Sequence, residues 1–190
     1  MRVEVQETAI SGVLLVSSEP FQDHRGFFTE VFRADTYRAA GLPDRFVQLN
    51  LSRSRRGVIR GLHFQYDPPM GKLMRVAHGR AYLVAVDLRK GSPTLGKYHA
   101  IELDDSRPLM VWAPASFARG FCALSDVADI EYLTTGTYSA AADSGIRWND
   151  PAIGIPWPAR DALLSDKDRG AQTLAEWLAR PESDRFRYEP

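Results

Sequence analysis

One cysteine stands in the 190 residues of this chain, which excludes an internal disulfide and any metal site built from several thiolates. That residue, Cys122, lies in the apolar run Phe121-Cys-Ala-Leu124, where packing accounts for a thiol better than nucleophilic chemistry does. No apolar stretch reaches the roughly 18 residues that a membrane-spanning helix needs, and Met1-Arg-Val-Glu-Val lacks the apolar run of a signal peptide. A cytoplasmic protein without a membrane partner is therefore expected. Charge of one sign is missing too. Against 24 basic residues stand 24 acidic ones, so nothing draws the whole chain to nucleic acid or an anionic bilayer, although a local patch can still bind phosphate. No internal repeat, low-complexity tract or linker divides the sequence. With 44% hydrophobic residues, residues 1–190 are expected to form one domain with a substantial core.

What the sequence does contain is a succession of short strand patterns. Gly12-Val-Leu-Leu-Val16 suits a buried strand, and Arg80 to Leu88 is apolar almost throughout, as for a strand covered on both faces. Further strands are expected at Tyr98 to Leu103, Leu109 to Ala113, Phe117 to Leu124 and Asp129 to Thr135. Gly, Pro and Asp turns separate them, which predicts an all-β sandwich or jelly roll. Ala34 to Gly41 reads as a short helix ended by glycine, and Thr173 to Ala179 as a closing helix. Between them, from Ser139, alternation is lost and Pro, Gly, Asp and Trp become frequent, so residues 139–190 are expected to form a C-terminal loop and helix region.

Residues 57–79 read as two strands joined by a Pro-Pro-Met-Gly turn. A period of two would put Val58, Arg60, Leu62 and Phe64 on one face and Ile59, Gly61, His63 and Gln65 on the other. A lone strand histidine is more often structural than functional. Here, however, His63 sits among Arg60, Gln65 and Lys72, and such a polar, cationic set is hard to bury without partners. A site lining a cavity is the more economical account. Phe46 to Ser52 also alternates, with Gln48, Asn50 and Ser52 on a polar face that lines either solvent or a hydrophilic cavity. At Arg25-Gly26 a turn could aim a guanidinium inward towards phosphate; an exposed surface turn is the plainer account of that segment alone.

The same stretch keeps the skeleton of the cupin metal-binding motif and loses its ligands. Gly57 and His63 have the motif's spacing, and Lys72 precedes Gly79 by the distance at which the motif places glutamate. Gln65 stands where a second histidine belongs, and Lys72 is a cation where a metal needs an anion. In the second cupin motif, Pro114-Ala-Ser116-Phe-Ala-Arg119 puts arginine at the last ligand position. A cupin built on these residues is expected to work without metal.

Asp23-x-Arg25-Gly26-x-Phe28-x-Glu30, Phe46-Val-Gln48-x-Asn50-x-Ser52, Gly57-Val-x-Arg60-Gly61-Leu-His63-Phe-Gln65, Gly71-Lys72-Leu and Asp87-x-Arg-x-Gly-Ser-Pro-Thr94 closely resemble the dTDP-4-dehydrorhamnose 3,5-epimerase family. Tyr132, Tyr138, Gly145-Ile-x-Trp148-Asn-Asp150-Pro and Leu164-Ser-x-Lys167-Asp168 extend the match in order over roughly residues 12–168. The resemblance implies an all-β, cupin-type jelly roll with short peripheral helices, working as a homodimer without metal or cofactor. It also implies epimerisation at C3 and/or C5 of dTDP-4-dehydro-6-deoxyglucose, a dTDP-4-keto-6-deoxysugar. By resemblance His63 is the base that removes a proton alpha to the 4-keto group, and Asp168 orients it. A histidine's ordinary pKa of about 6.5 suits that work. Lys72 would stabilise the enolate and Tyr132 would return a proton from the opposite face. Arg25, Gln48, Asn50 and Arg60 match positions that hold the nucleotide and its diphosphate, and Phe28 and Glu30 lie in a segment used near the nucleotide across the dimer. Tyr138 would be a sugar contact or core.

One departure stands out. The family's Gly-Phe-Ala-His-Gly-Phe is here Ser116-Phe-Ala-Arg119-Gly-Phe121, and arginine cannot act as a base at neutral pH. Arg119 could still stabilise the enolate, could remove one of the two inversions, or could admit a different sugar. A single-site epimerase of another 4-keto nucleotide sugar, and a sugar-nucleotide binding protein without catalysis, remain as alternatives.

Overall fold

A computed structural model describes residues 2–189. In chain order its strands are β1 (Val3–Glu7), β2 (Leu14–Ser18), β3 (Phe21–Asp23), β4 (Gly26–Phe28), β5 (Gln48–Arg55), β6 (Ile59–Gln65), β7 (Lys72–His78), β8 (Arg80–Asp87), β9 (Tyr98–Asp104), β10 (Leu109–Ala113), β11 (Phe117–Ala123), β12 (Val127–Thr134) and β13 (Asp143–Gly145). Three short helices, α1 (Ala34–Ala39), α2 (Asp166–Arg169) and α3 (Leu174–Ala179), lie around them, with a 3-10 turn at Pro181–Arg185. Among the described residues no helix is long and apolar enough to cross a membrane.

Eleven strands form two antiparallel sheets, one of six in the order β1-β2-β10-β7-β12-β5 and one of five in the order β13-β6-β11-β8-β9, while β3 and β4 pair apart from the large sheets as a two-stranded hairpin. The two large sheets pack face to face as the jelly-roll sandwich expected of an all-β chain. Alternation along each strand explains the layers. On β7, Met74 and Val76 enter the core between the sheets with Leu83, Phe117, Phe121 and Ile130. Leu73, of opposite parity, joins Tyr37, Met110 and Trp112 on the outer face, beneath α1. On the five-stranded sheet, Leu62, Phe64, Val84, Val86 and Ala118 point outward against Ile146, Ile155, Leu174, Trp177 and Phe186. The C-terminal third therefore covers that sheet, and β8 is buried on both faces as its composition predicts. Cys122 is fully buried, and burial pushes its thiol up to about 11, in keeping with packing.

The alternation predicted for β6 fails at Gly61. Arg119 pairs with His63 and Phe121 with Arg60, so β6 advances three residues while β11 advances two. This is a β-bulge. It turns Arg60 and His63 to the same inner face, where a strict period of two would oppose them. Gly61 holds φ +135°, and a Cβ on Gly120 would lie 2.7 Å from the Arg60 carbonyl oxygen. Two glycines let the strands approach at the bulge.

Candidate active site

A cavity opens between the sheets where β5, β12 and β7 face β6 and β11. Ser52, Lys72 and Tyr132 line it from one wall and Arg60, His63 and Arg119 from the other. The polar face of β5 is thus an inner wall, while Leu49 and Leu51, on its other face, are each 61% exposed. Among the described residues, no Asp or Glu lines the cavity.

His63 meets Asp168 at the edge of this cavity, with Nε2 2.5 Å from Oδ1. Asp168 reaches it from α2, whose Ser165 cap accepts the Asp168 N–H at 3.1 Å. Burial works against the Asp168 charge. Hydrogen bonds from His63, Ser165 and the Gly61 N–H outweigh it and hold the carboxyl below its usual range. An ionised carboxylate must accept, so Nε2 donates and Nδ1 keeps the free lone pair.

Lys72 is partly buried, with Nζ 5.1 Å from the Tyr132 ring centroid. Burial, then the neighbouring Arg119 and Lys167 charges, draw its amine down to about 7, opposed by Asp143. Burial raises the Tyr132 hydroxyl, so it is protonated at neutral pH. Arg60 donates from Nε to Ser54 Oγ at 3.0 Å and from a terminal nitrogen to the Arg53 carbonyl at 3.2 Å. Arg119 donates to the carbonyl oxygens of Phe117 and Met70.

Beside the cavity, Gln48 Nε2 donates to Asn50 Oδ1 at 2.8 Å, and Gln48 Oε1 accepts from the Tyr138 N–H at 3.1 Å. The Tyr138 hydroxyl donates to Asp143 Oδ2 at 3.0 Å, and Lys167 pairs with the same carboxylate. Asp143 and Lys167 bear on Lys72, yet no spacing in the chain singles them out as site residues; β13 brings Asp143 beside β6. Gln65, grouped with His63 in the sequence reading, is buried and satisfied by Pro68, Thr137 and Ser139 backbone. It supports a loop and does not line the cavity. Arg25, Phe28 and Glu30 are also outside the cavity of their own chain. Arg25 is 79% exposed in its side chain and paired with Asp23, Phe28 is 67% exposed at the hairpin β3–β4, and Glu30 lies 3.6 Å from Arg33.

The arrangement unites a carboxylate-backed imidazole, a phenol and several cations around one space. It can take a proton from carbon and hold the negative charge that follows. Among the described residues no three His, Cys, Asp or Glu side chains converge as metal ligands.

Comparison with known proteins finds a matching family and several relatives. The family model described as dTDP-4-dehydrorhamnose 3,5-epimerase matches residues 7–176. The dTDP-4-dehydrorhamnose 3,5-epimerase of Methanothermobacter thermautotrophicus is 44% identical over 173 residues, 90% of this chain and 94% of that protein. A dTDP-4-dehydrorhamnose 3-epimerase of Streptomyces niveus is 40% identical over 176 residues, 92% of this chain and 85% of that protein. The dTDP-6-deoxy-D-glucose-3,5-epimerase of Legionella pneumophila Philadelphia 1, solved with dTDP-4-keto-L-rhamnose, superposes with a TM-score of 0.93 at 38% identity, covering 100% of both chains. From the fold, the cavity and these matches together, the chain belongs to the dTDP-4-dehydrorhamnose 3,5-epimerase family, enzymes of the isomerase class.

Proposed function

We propose that the chain, acting as a single domain, epimerises dTDP-4-dehydro-6-deoxyglucose at C3 and C5 to dTDP-4-dehydrorhamnose. The observation that carries this reading is the 2.5 Å pairing of His63 with Asp168 on one wall of a cavity whose other wall holds Lys72 and Tyr132. His63 takes the proton alpha to the 4-keto group through Nδ1, and Asp168 stabilises the imidazolium that forms. The electron pair moves onto the 4-keto oxygen, whose charge Lys72 stabilises, and Tyr132 returns a proton to the opposite face of the carbon. Arg60, Gln48, Asn50 and Tyr138 are assigned to the diphosphate, nucleoside and sugar.

The active form is proposed to be a homodimer. Support comes from β5, an edge strand presenting Leu49 and Leu51 to solvent, and from the exposed Phe21 and Phe28 of the hairpin. Apolar edges of this kind are normally covered. In a dimer the hairpin can carry Arg25, Phe28 and Glu30 to the partner's nucleotide.

A second reading, inversion at one carbon only, is favoured by Arg119 and by the likeness to the Streptomyces niveus 3-epimerase. NMR of dTDP-4-dehydro-6-deoxyglucose in deuterated water, with His63→Ala as control, separates the two. Deuterium at both C3 and C5 that depends on His63 supports double epimerisation, and exchange at one carbon supports the second reading. No exchange at either carbon rejects both.

A further inference from the structure

Arg119 is the one charged group of the cavity whose placement the proposed chemistry does not explain. It is 3% exposed, its Nε has no hydrogen-bond partner, and its outer nitrogens are engaged by the Phe117 and Met70 carbonyls. Among the described residues no carboxylate pairs with it. It therefore adds charge to the cavity while its outer donors are turned to the backbone. Burial lowers its own pKa to about 9, so it remains a cation at neutral pH.

Lys72 is the neighbour that feels this charge. Both side chains line the cavity, and the Arg119 guanidinium is held at the carbonyl of Met70, two residues before Lys72. Arg119 of β11, Lys167 of α2 and Asp143 of β13 are the charges that act on the amine. The ring of Tyr132 faces it from β12, and Arg60 and His63 line the same cavity from β6. On the β10 side its register partner is Ala113, which carries no charge. The single anion, Asp143, is already engaged by Lys167 and the Tyr138 hydroxyl. An ammonium group in this setting is crowded by cations and poorly solvated.

We propose that Arg119 is a positioning charge for Lys72, making it an amine that transfers a proton to the substrate's carbonyl oxygen instead of a permanent cation standing beside that oxygen. The identity of the oxygen rests on the 4-keto sugar reading above. As His63 takes the carbon-bound proton, the electron pair moves to the carbonyl oxygen. An N–H bond of the Lys72 ammonium breaks and an O–H bond forms, leaving an enol and a neutral amine. When Tyr132 reprotonates the carbon, the O–H proton returns to Lys72 and the carbonyl re-forms. The fall of the amine to about 7 matches donor strength to neutral pH, as general acid catalysis requires.

The test begins without substrate, so failure of the sugar reading and failure of this inference are distinguishable. Only four lysines occur, Lys72, Lys90, Lys97 and Lys167, so 13Cε-lysine NMR resolves each, with Lys72→Met assigning the signal. Lys72 is expected to titrate near 7, and Arg119→Gln is expected to raise its midpoint by about one unit. Arg119→His, uncharged above about pH 6.5, should raise it likewise and serves should the Gln variant not fold. A wild-type midpoint near the ordinary 10.5, or one that neither variant moves, overturns the charge relation. In kinetics, the alkaline limb of kcat/KM should move up with the NMR midpoint. A limb that stays fixed while the midpoint moves overturns Lys72 as the donor.

Discussion

Asp168 and His63 stand 105 residues apart in the chain and meet at 2.5 Å between Oδ1 and Nε2. The acid arrives on a four-residue helix, and the base sits within a seven-residue strand. Asp168→Asn keeps the shape and removes the charge that fixes the imidazole tautomer. It is expected to lower kcat by about 10²- to 10⁴-fold with KM within a few-fold, as steady-state kinetics on the epimerisation would report. A fall in affinity with kcat preserved would make Asp168 a binding residue.

Tyr132 and His63 approach the same space from opposite sheets. If the phenol supplies the second proton, Tyr132→Phe still allows His63 to remove and return protons on one face. Solvent deuterium should then enter the substrate with retained configuration, while inversion slows by about 10²-fold. Loss of exchange together with inversion would assign Tyr132 to the first step.

Burial of Lys72 also bears on folding. Its value falls to about 7 from the ordinary 10.5, so between these pH values the unfolded chain holds a proton that the folded chain has released. Stability from this group therefore rises with pH across that window, and the full penalty applies below it. Lys72→Met should remove the slope and stabilise the protein at pH 6 by on the order of 1–3 kcal/mol. Urea denaturation of both proteins at pH 6 and pH 9 would measure the difference.

The bulge of β6 depends on Gly120. A Cβ there would meet the Arg60 carbonyl oxygen at 2.7 Å and Gly61 Cα at 3.2 Å. Gly120→Ala is expected to cost about 1–3 kcal/mol and to slow catalysis, because Arg60 and His63 both hang from the displaced segment. Unchanged stability and rate would mean that the strands separate without consequence.

Leu51 supplies the test of assembly. Leu51→Glu places a charge on the exposed edge strand, and sedimentation should shift from two chains to one, with loss of activity if the hairpin serves the partner's site. A dimer that withstands the charge would move the interface elsewhere.

Much of this architecture was legible in the sequence because apolar alternation and turn residues mark strands wherever one face is buried. The places of β8 to β12 follow from apolar runs and turn residues alone. Arg60 did not, because the bulge at Gly61 is set by pairing with β11, a relation between distant segments that a local period cannot contain. The polar face of β5 was readable, but whether it met water or a cavity depended on what stood opposite. Asp168 entered only through family resemblance, since nothing near it in the chain distinguishes it from a surface acid. Asp143 and Lys167 act on Lys72 only because β13 and α2 come to lie near β7. The engaged nitrogens of Arg119 were hidden for a similar reason: the carbonyls that hold them belong to a backbone path visible only after folding.

The cover of the five-stranded sheet by Ile146, Trp177 and Phe186 has a consequence for biosynthesis. His63 emerges from the ribosome long before Asp168, and the segment that brings the acid is the same one that closes the hydrophobic back of β6. A nascent chain therefore carries His63 without its carboxylate partner until the final third has docked, and the order of synthesis withholds the proposed proton abstraction from an unfinished fold.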